Sequence, residues 1–203
     1  MAISIEDRAR VGEAIRAAEQ KTSGEIVCVL ARSSSDYATM RLAWSILLAL
    51  ALPWALLWLT QLSVARILLA QLAAFAAALL ILSTPAVRVA LTPRRVQRQH
   101  AFQAAAEQFL SRGLTRTSRR TGVLIFVSLA ERYARVIADE GVADKVPQAE
   151  WQAAVDALVA RTREGLIADG FVAAVEACGA ILAKHLPPAA GEASELPDRL
   201  FVI

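Results

Sequence analysis

The sequence predicts an α/β protein: a three-layer α/β/α sandwich with a small mixed sheet, its chain interrupted by a two-helix transmembrane hairpin. Three observations predict it. Across residues 42–87 Arg66 is the only charged side chain, whereas roughly a quarter of the remaining residues are charged, as in an ordinary water-soluble domain. Two short runs, Glu25–Ala31 (EIVCVLA) and Gly122–Ser128 (GVLIFVS), are apolar almost throughout, which marks strands covered on both faces. Around them, apolar residues recur at helical spacing. The 203 residues are 56% hydrophobic with a mean hydropathy of +0.45. Gly, Pro and Cys are too sparse for a disordered chain, a collagen-like rod or a disulfide-stapled miniprotein.

The first part of the domain spans residues 1–36. Ser4, with Asp7 three residues on, caps a helix that places Ile5, Val11, Ile15 and Ala18 on or near one face. Thr22-Ser23-Gly24 stops it, and the strand Glu25–Ala31 follows. Residues 41–87 form the hairpin, with helices at about 42–60 and 65–85. Its two uncharged spans, 42–59 and 67–87, cover about 27 Å and somewhat over 30 Å at 1.5 Å per residue, against a hydrocarbon core of about 30 Å. Pro53 is expected to kink the first helix, Trp44, Trp54 and Trp58 to sit toward the interfaces, and Arg66 to snorkel.

Flanking charge sets the orientation. Arg32 and Arg41 precede the hairpin and Arg88, Arg94, Arg95 and Arg98 follow it, whereas Arg66 alone marks its connection. Both termini are therefore expected in the cytoplasm, with the chain integral to the cytoplasmic (inner) membrane. Residues 1–23 are amphipathic and charge-balanced, unlike a cleavable signal peptide. Cys28 and Cys178 read as buried thiols in a reducing compartment. The stretch 88–121 sets eight Arg against Glu107, which suits attraction to anionic lipid headgroups. No aromatic residues interleave Arg116, Arg119 and Arg120, so no nucleic-acid partner is expected.

The second part of the domain spans 92–186. A helix over Arg95–Arg112 ends at Gly113, and Gly122–Ser128 is the clearest strand of the chain. After a turn at Ala130-Glu131, Tyr133–Asp139 folds back as its antiparallel partner. Pro147 opens a helix carrying Trp151, Val155 and Leu158, and Asp169 is expected to cap another carrying Phe171, Val175, Cys178 and Leu182. Residues 187–203 read as an extended tail. The sheet combines a strand from before the hairpin with strands from after it, so both hairpin ends must emerge on one face of the bilayer.

Lys21-Thr22-Ser23-Gly24-Glu25-Ile26-Val27, the run from Gly122 to Arg132, Val136-Ile137-Ala138-Asp139-Glu140-Gly141, and Trp151 together resemble the TPM domain family. That family includes a thylakoid-lumen acid phosphatase, a photosystem II repair factor and a receptor-auxiliary protein. The resemblance covers about 130 residues in two pieces and implies the α/β/α sandwich already reached. It is to the bacterial branch that carries a membrane hairpin inside the domain. Most other members place the domain outside the cytoplasm behind a signal peptide.

Among chemistry-bearing motifs the chain has no G-x-S-x-G elbow, P-loop, dinucleotide fingerprint, zinc-spaced Cys or His pair, or EF-hand loop. His100 and His185 read as surface or capping residues. What remains is acidic: Asp139, Glu140 and Asp144 cluster after the second hairpin strand, and Glu25 begins the first strand. They are candidate ligands for Ca2+ or Mg2+, which would polarise a phosphoryl group. The same cluster also reads as a solvated turn with Asp144 capping the next helix. Glu25, Gly141 and Arg132 match the family pattern; Arg132 either binds an anion or pairs with Glu131.

Two functions from different classes follow. One is a membrane-anchored cytoplasmic module that interacts with another membrane protein and assists its assembly or turnover. The other is a divalent-metal-dependent phosphomonoesterase, implied by the acid-phosphatase resemblance.

Overall fold

A computed structural model describes residues 3–188 and 195–203. The elements run α1 (Ile5–Glu19), β1 (Glu25–Ala31), α2 (Ala38–Leu59), α3 (Val64–Ile81), α4 (Pro85–Ala90), α5 (Arg94–Ser111), β2 (Gly122–Ser128), β3 (Tyr133–Ala138), α6 (Glu140–Ala143), α7 (Gln148–Arg163), α8 (Ile167–His185) and β4 (Leu200–Val202). They form two compact units, Met1–Ser34 with Ala101–Ile203, and Ser35–His100.

Local chemistry accounts for the ends of the helices. Ser4 Oγ accepts the Asp7 N–H at 3.0 Å while Asp7 accepts the Ser4 N–H at 3.4 Å, a reciprocal cap that starts α1. Gly113, at φ 77°, turns the chain out of α5, and Gly165, at φ 84°, turns it out of α7. Because the chain re-enters a helix directly after Gly165, α8 begins at Ile167, ahead of Asp169. Asp169 therefore does not cap α8 as its sequence position suggests. It sits in the first turn and binds Arg10 of α1 at 2.5 Å.

The first unit is built on a mixed sheet ordered β3-β2-β1-β4. β1 runs parallel to β2, Glu25 opposite Gly122 and Ala31 opposite Ser128, and parallel to β4, Cys28 opposite Leu200. β2 and β3 form the antiparallel hairpin. All seven residues of β1 and of β2 are buried, because helices cover both faces. On one face Ile26, Cys28, Val123 and Ile125 pack with Val11 and Ile15 of α1, Trp151 and Leu158 of α7, and Phe171 and Val175 of α8. On the other, Val27, Val29, Leu124 and Phe126 pack with Ala105 and Phe109 of α5 and with Leu114. Each such fully buried aliphatic or aromatic side chain stabilises the fold by about 1.5–3 kcal/mol.

β4 differs from the sequence expectation of an extended tail over 187–203: its last residues join the sheet. Residues 189–194 of that tail lie outside the described set. Three residues after Pro197 are too short a run to show a period, and what makes them a strand is the edge that β1 offers.

In the second unit α2 and α3 are joined by Thr60–Ser63 and pair as a hairpin. Arg41 Nη1, near the start of α2, donates to Ser83 Oγ, just past α3, at 3.3 Å. α2 continues through Pro53. The apolar stretches have mean hydropathies of 2.1 and 2.2 with only 11% of their residues buried in the protein, unlike the core helices of a soluble fold. Both helices are long and apolar enough to cross a membrane. His100 meets the Tyr37 ring edge to face at 5.4 Å. Arg95 and Arg98 are exposed, and the Arg88 side chain lies outside the described set.

A Cβ added at Gly12 of α1 would lie 2.7 Å from the Asp198 carbonyl oxygen, and backbone cannot swing aside as a side chain can. Gly12→Ala is therefore expected to destabilise the domain by about 1–3 kcal/mol. Denaturant unfolding of the full chain followed by circular dichroism measures this, and unchanged stability would contradict the close approach of α1 to the segment leading into β4.

Candidate functional site

The amino ends of β1 and β2 meet three connections: the turn after α1, the segment before β2, and the segment before β4. Thr22 Oγ1 donates to Leu186 O at 2.6 Å, Thr121 Oγ1 to Ser23 O at 2.9 Å, and Thr22 Oγ1 accepts the Gly24 N–H at 3.1 Å. These short polar residues satisfy the backbone where the chain turns. Between the three connections lies a cleft of about 180 Å3, lined by Arg16, Glu19, Glu25, Arg119, Glu195 and Asp198 among others.

Glu25 is the predicted site residue found here. Its Oε1 accepts the Glu195 N–H at 3.1 Å and its Oε2 the Leu196 N–H at 3.2 Å. The carboxylate thus holds the backbone that leads into β4. Glu195 is held in turn by Ser118, whose Oγ donates to Oε1 at 2.6 Å.

Glu19, at the end of α1, is the most perturbed acid of the cleft. Its Oε1 accepts the Ile26 N–H at 2.8 Å, whereas Oε2 is buried without a donor. Burial, reinforced by the Glu25 and Asp198 charges and only partly opposed by the Ile26 N–H, pushes its pKa up to about 9. Asp198 is within hydrogen-bonding reach, and two carboxylates can share such a bond only when one carries a proton. Glu19 is accordingly a neutral carboxylic acid at pH 7, able to donate a hydrogen bond or a proton within the cleft. Nothing in the sequence around Glu19 distinguishes it, because its partner is 179 residues away in a segment with no pattern of its own.

Asp139 and Glu140 lie at the same end of the sheet but on the far side of β2: Asp139 N–H donates to Gly122 O at 2.9 Å, while the Glu25 N–H donates to Thr121 O at 3.2 Å. Two strand spacings, about 10 Å, thus separate the backbones of Glu25 and Asp139. Asp139 is buried. Its carboxylate accepts Arg120 Nη2 at 3.0 Å and Nε at 3.2 Å, and caps α6 by accepting the Glu140 N–H at 2.9 Å. Glu140 is exposed and pairs with Arg120 Nη1 at 3.1 Å. Arg120 reaches them from a left-handed backbone conformation, φ 55°. Asp144 ends α6 and is exposed; α7 begins after Pro147 with no side-chain cap, so Asp144 does not cap it. Among the described residues, no three or more His, Cys, Asp and Glu side chains form a group that could hold a metal ion.

The turn between β2 and β3 sits at the opposite end of the sheet. The Glu131 carboxylate is buried there, accepting Ser128 Oγ, Ser33 Oγ at 3.1 Å and Ser34 N–H at 3.1 Å. It ties this turn to the segment that leaves β1. Arg132 is exposed at φ 50° and lines a cleft of about 500 Å3 with Arg163, Thr162 and Tyr133. Cys28 and Cys178 are both buried and free. Burial raises both thiols, Cys178 to about 12, so neither is a thiolate nucleophile at neutral pH. His185 Nε2 lies 3.3 Å from Glu150 Oε2 at the end of α8.

Glu19 binds a proton in the folded protein that it releases on unfolding between about pH 4.5 and 9, so its contribution to stability falls as pH rises through that window. Glu19→Gln supplies a permanent N–H donor to Asp198 and should flatten the decline in melting temperature from pH 6 to pH 9. An identical pH profile in the variant would show that Glu19 is not the group responsible. Asp139→Ala removes the α6 cap and the buried partner of Arg120, and is expected to cost about 1–3 kcal/mol in denaturant unfolding.

Comparison with known proteins bears on the fold and the family. The NMR structure of BA42 protein from the psychrophilic bacterium Bizionia argentinensis matches with a TM-score of 0.63 at 19% identity, covering 100% of this chain and 97% of that one, and shares the fold. No curated protein gives a significant match. The family model of the TPM domain matches residues 69–181, from within α3 to within α8. With that match spanning more than half of its length, the chain belongs to the TPM domain family.

Proposed function

We propose that this TPM domain protein is a membrane-anchored module that binds another membrane protein and assists its assembly or turnover, its domain and both termini lying in the cytoplasm. The observation that carries this reading is the placement of two apolar helices in the chain between β1 and β2, two strands that pair in one sheet. The state of the acidic residues supports it as well. Glu25 is engaged by backbone N–H groups, and Asp139 and Glu140 by Arg120, as structural carboxylates are. The cytoplasmic orientation rests on Arg41, Arg94, Arg95 and Arg98 flanking the hairpin against Arg66 alone in its connection. The basic stretch that follows α3 favours anionic headgroups at that surface.

Affinity purification of the full chain from membranes in mild detergent should recover a reproducible membrane-protein partner; recovery of none across several detergents would sink the reading. Orientation is read separately with a membrane-impermeant maleimide, the two native cysteines being buried. In intact spheroplasts Gln61→Cys should be labelled, and Glu13→Cys only after lysis. The reverse pattern would put the domain outside the cytoplasm.

A further inference from the structure

β4 is an edge of the sheet, and its backbone shows which groups face outward. Ile203 N–H donates to Leu30 O at 3.0 Å and its carbonyl accepts the Arg32 N–H at 3.0 Å, so Ile203 turns both groups toward β1. The two-residue alternation of a strand gives Phe201 the same direction and turns the N–H and C=O of Leu200 and Val202 to the open side. Among the described residues no strand pairs with that side.

A groove of about 740 Å3 runs along this edge between α1 and β4, with Ile5 and Ala9 on the helix side and Phe201 and Val202 on the strand side. Ile5 is 88% exposed and offers apolar surface on the helix side of the groove. The groove is also positively charged. Arg8, Arg112 and Arg199 line it and form no salt bridge among the described residues, and its acidic members are Glu13 and Asp198, the latter bound to Arg16 at 3.4 Å. The Arg112 and Arg199 guanidinium groups lie 3.9 and 4.7 Å from the Phe201 ring centroid, which places both charges beside the open strand.

We propose that the open edge of β4, with the groove it shares with α1, binds an extended acidic segment of a partner protein as an added strand. The Leu200 and Val202 backbone groups supply the ladder; on the α1 face Ile5 receives apolar side chains from alternate positions, and on the opposite face, where Phe201 points, Arg112 and Arg199 receive the carboxylates between them. The inference rests on the interaction-module reading and assigns that module its recognition surface.

The test uses the full chain in phosphatidylcholine nanodiscs and a fluorescein-labelled peptide of alternating Glu and Val, with a Lys-Val peptide as control, followed by anisotropy. The acidic peptide should bind and the basic one should not. Val202→Pro removes an outward N–H without breaking the ladder to β1, so it should keep the melting temperature and weaken binding by about tenfold or more. Arg112→Glu with Arg199→Glu should abolish the preference for the acidic peptide. Independently of any variant, backbone hydrogen exchange at Leu200 and Val202 should slow when the peptide is added to the unaltered chain. Equal binding of the two peptides, undiminished binding by Val202→Pro, or unchanged exchange would overturn the proposal. So would a dimer of the chain that Val202→Pro dissociates, because the edge would then belong to a second copy. A partner recovered equally well with Val202→Pro would leave the interaction module standing and remove this edge from it.

Discussion

The structure depends on a pairing between strands that the sequence keeps far apart. β1 pairs with β2 over its whole length, from Glu25 opposite Gly122 to Ala31 opposite Ser128, and with β4 on its other side. Every residue of this central strand is buried, and both partners come from chain that follows the apolar hairpin. Neither half of the domain can bury its apolar surface alone: Val27 and Val29 of β1 pack with β2 and α5, and α1 packs on α8. The domain closes around its own interruption.

Carboxylates at the two ends of the sheet secure that closure. At one end Glu25 accepts two backbone N–H groups of the returning C-terminal segment. At the other, Glu131 accepts Ser33, Ser34 and Ser128, joining the segment that leaves β1 to the end of β2. Acids that a motif search marks as possible metal ligands thus include ones whose oxygens already serve backbone geometry. Glu19 stands apart, since its second oxygen has no donor and its neutral form is the one compatible with Asp198.

What the sequence makes legible follows physical scale. The apolar runs of β1 and β2, the uncharged spans of α2 and α3, the Ser4 and Asp7 cap and the stop at Gly113 are local signals, readable within a few residues and present in the structure at the expected places. The features that escape are decided by distant partners. Asp169 looks like a cap, but Gly165 lets the helix start earlier and Arg10 takes its carboxylate. β4 has no pattern of its own, and Arg120 reaches Asp139 through a left-handed conformation that no local rule assigns to arginine. The acidic turn is visible in the sequence; its basic partner is not.

The position of the hairpin also has a consequence in time. About ninety residues separate the end of β1 from the start of β2. At roughly 5–20 residues per second, the ribosome needs about 5–18 s to make them. Throughout that interval the fully buried strand β1 exists without either of its neighbours, while both apolar helices are completed. The order of synthesis therefore sets the helices before the sheet, and Leu200–Val202, made after β1, β2 and β3, add a strand beside the one that was made first.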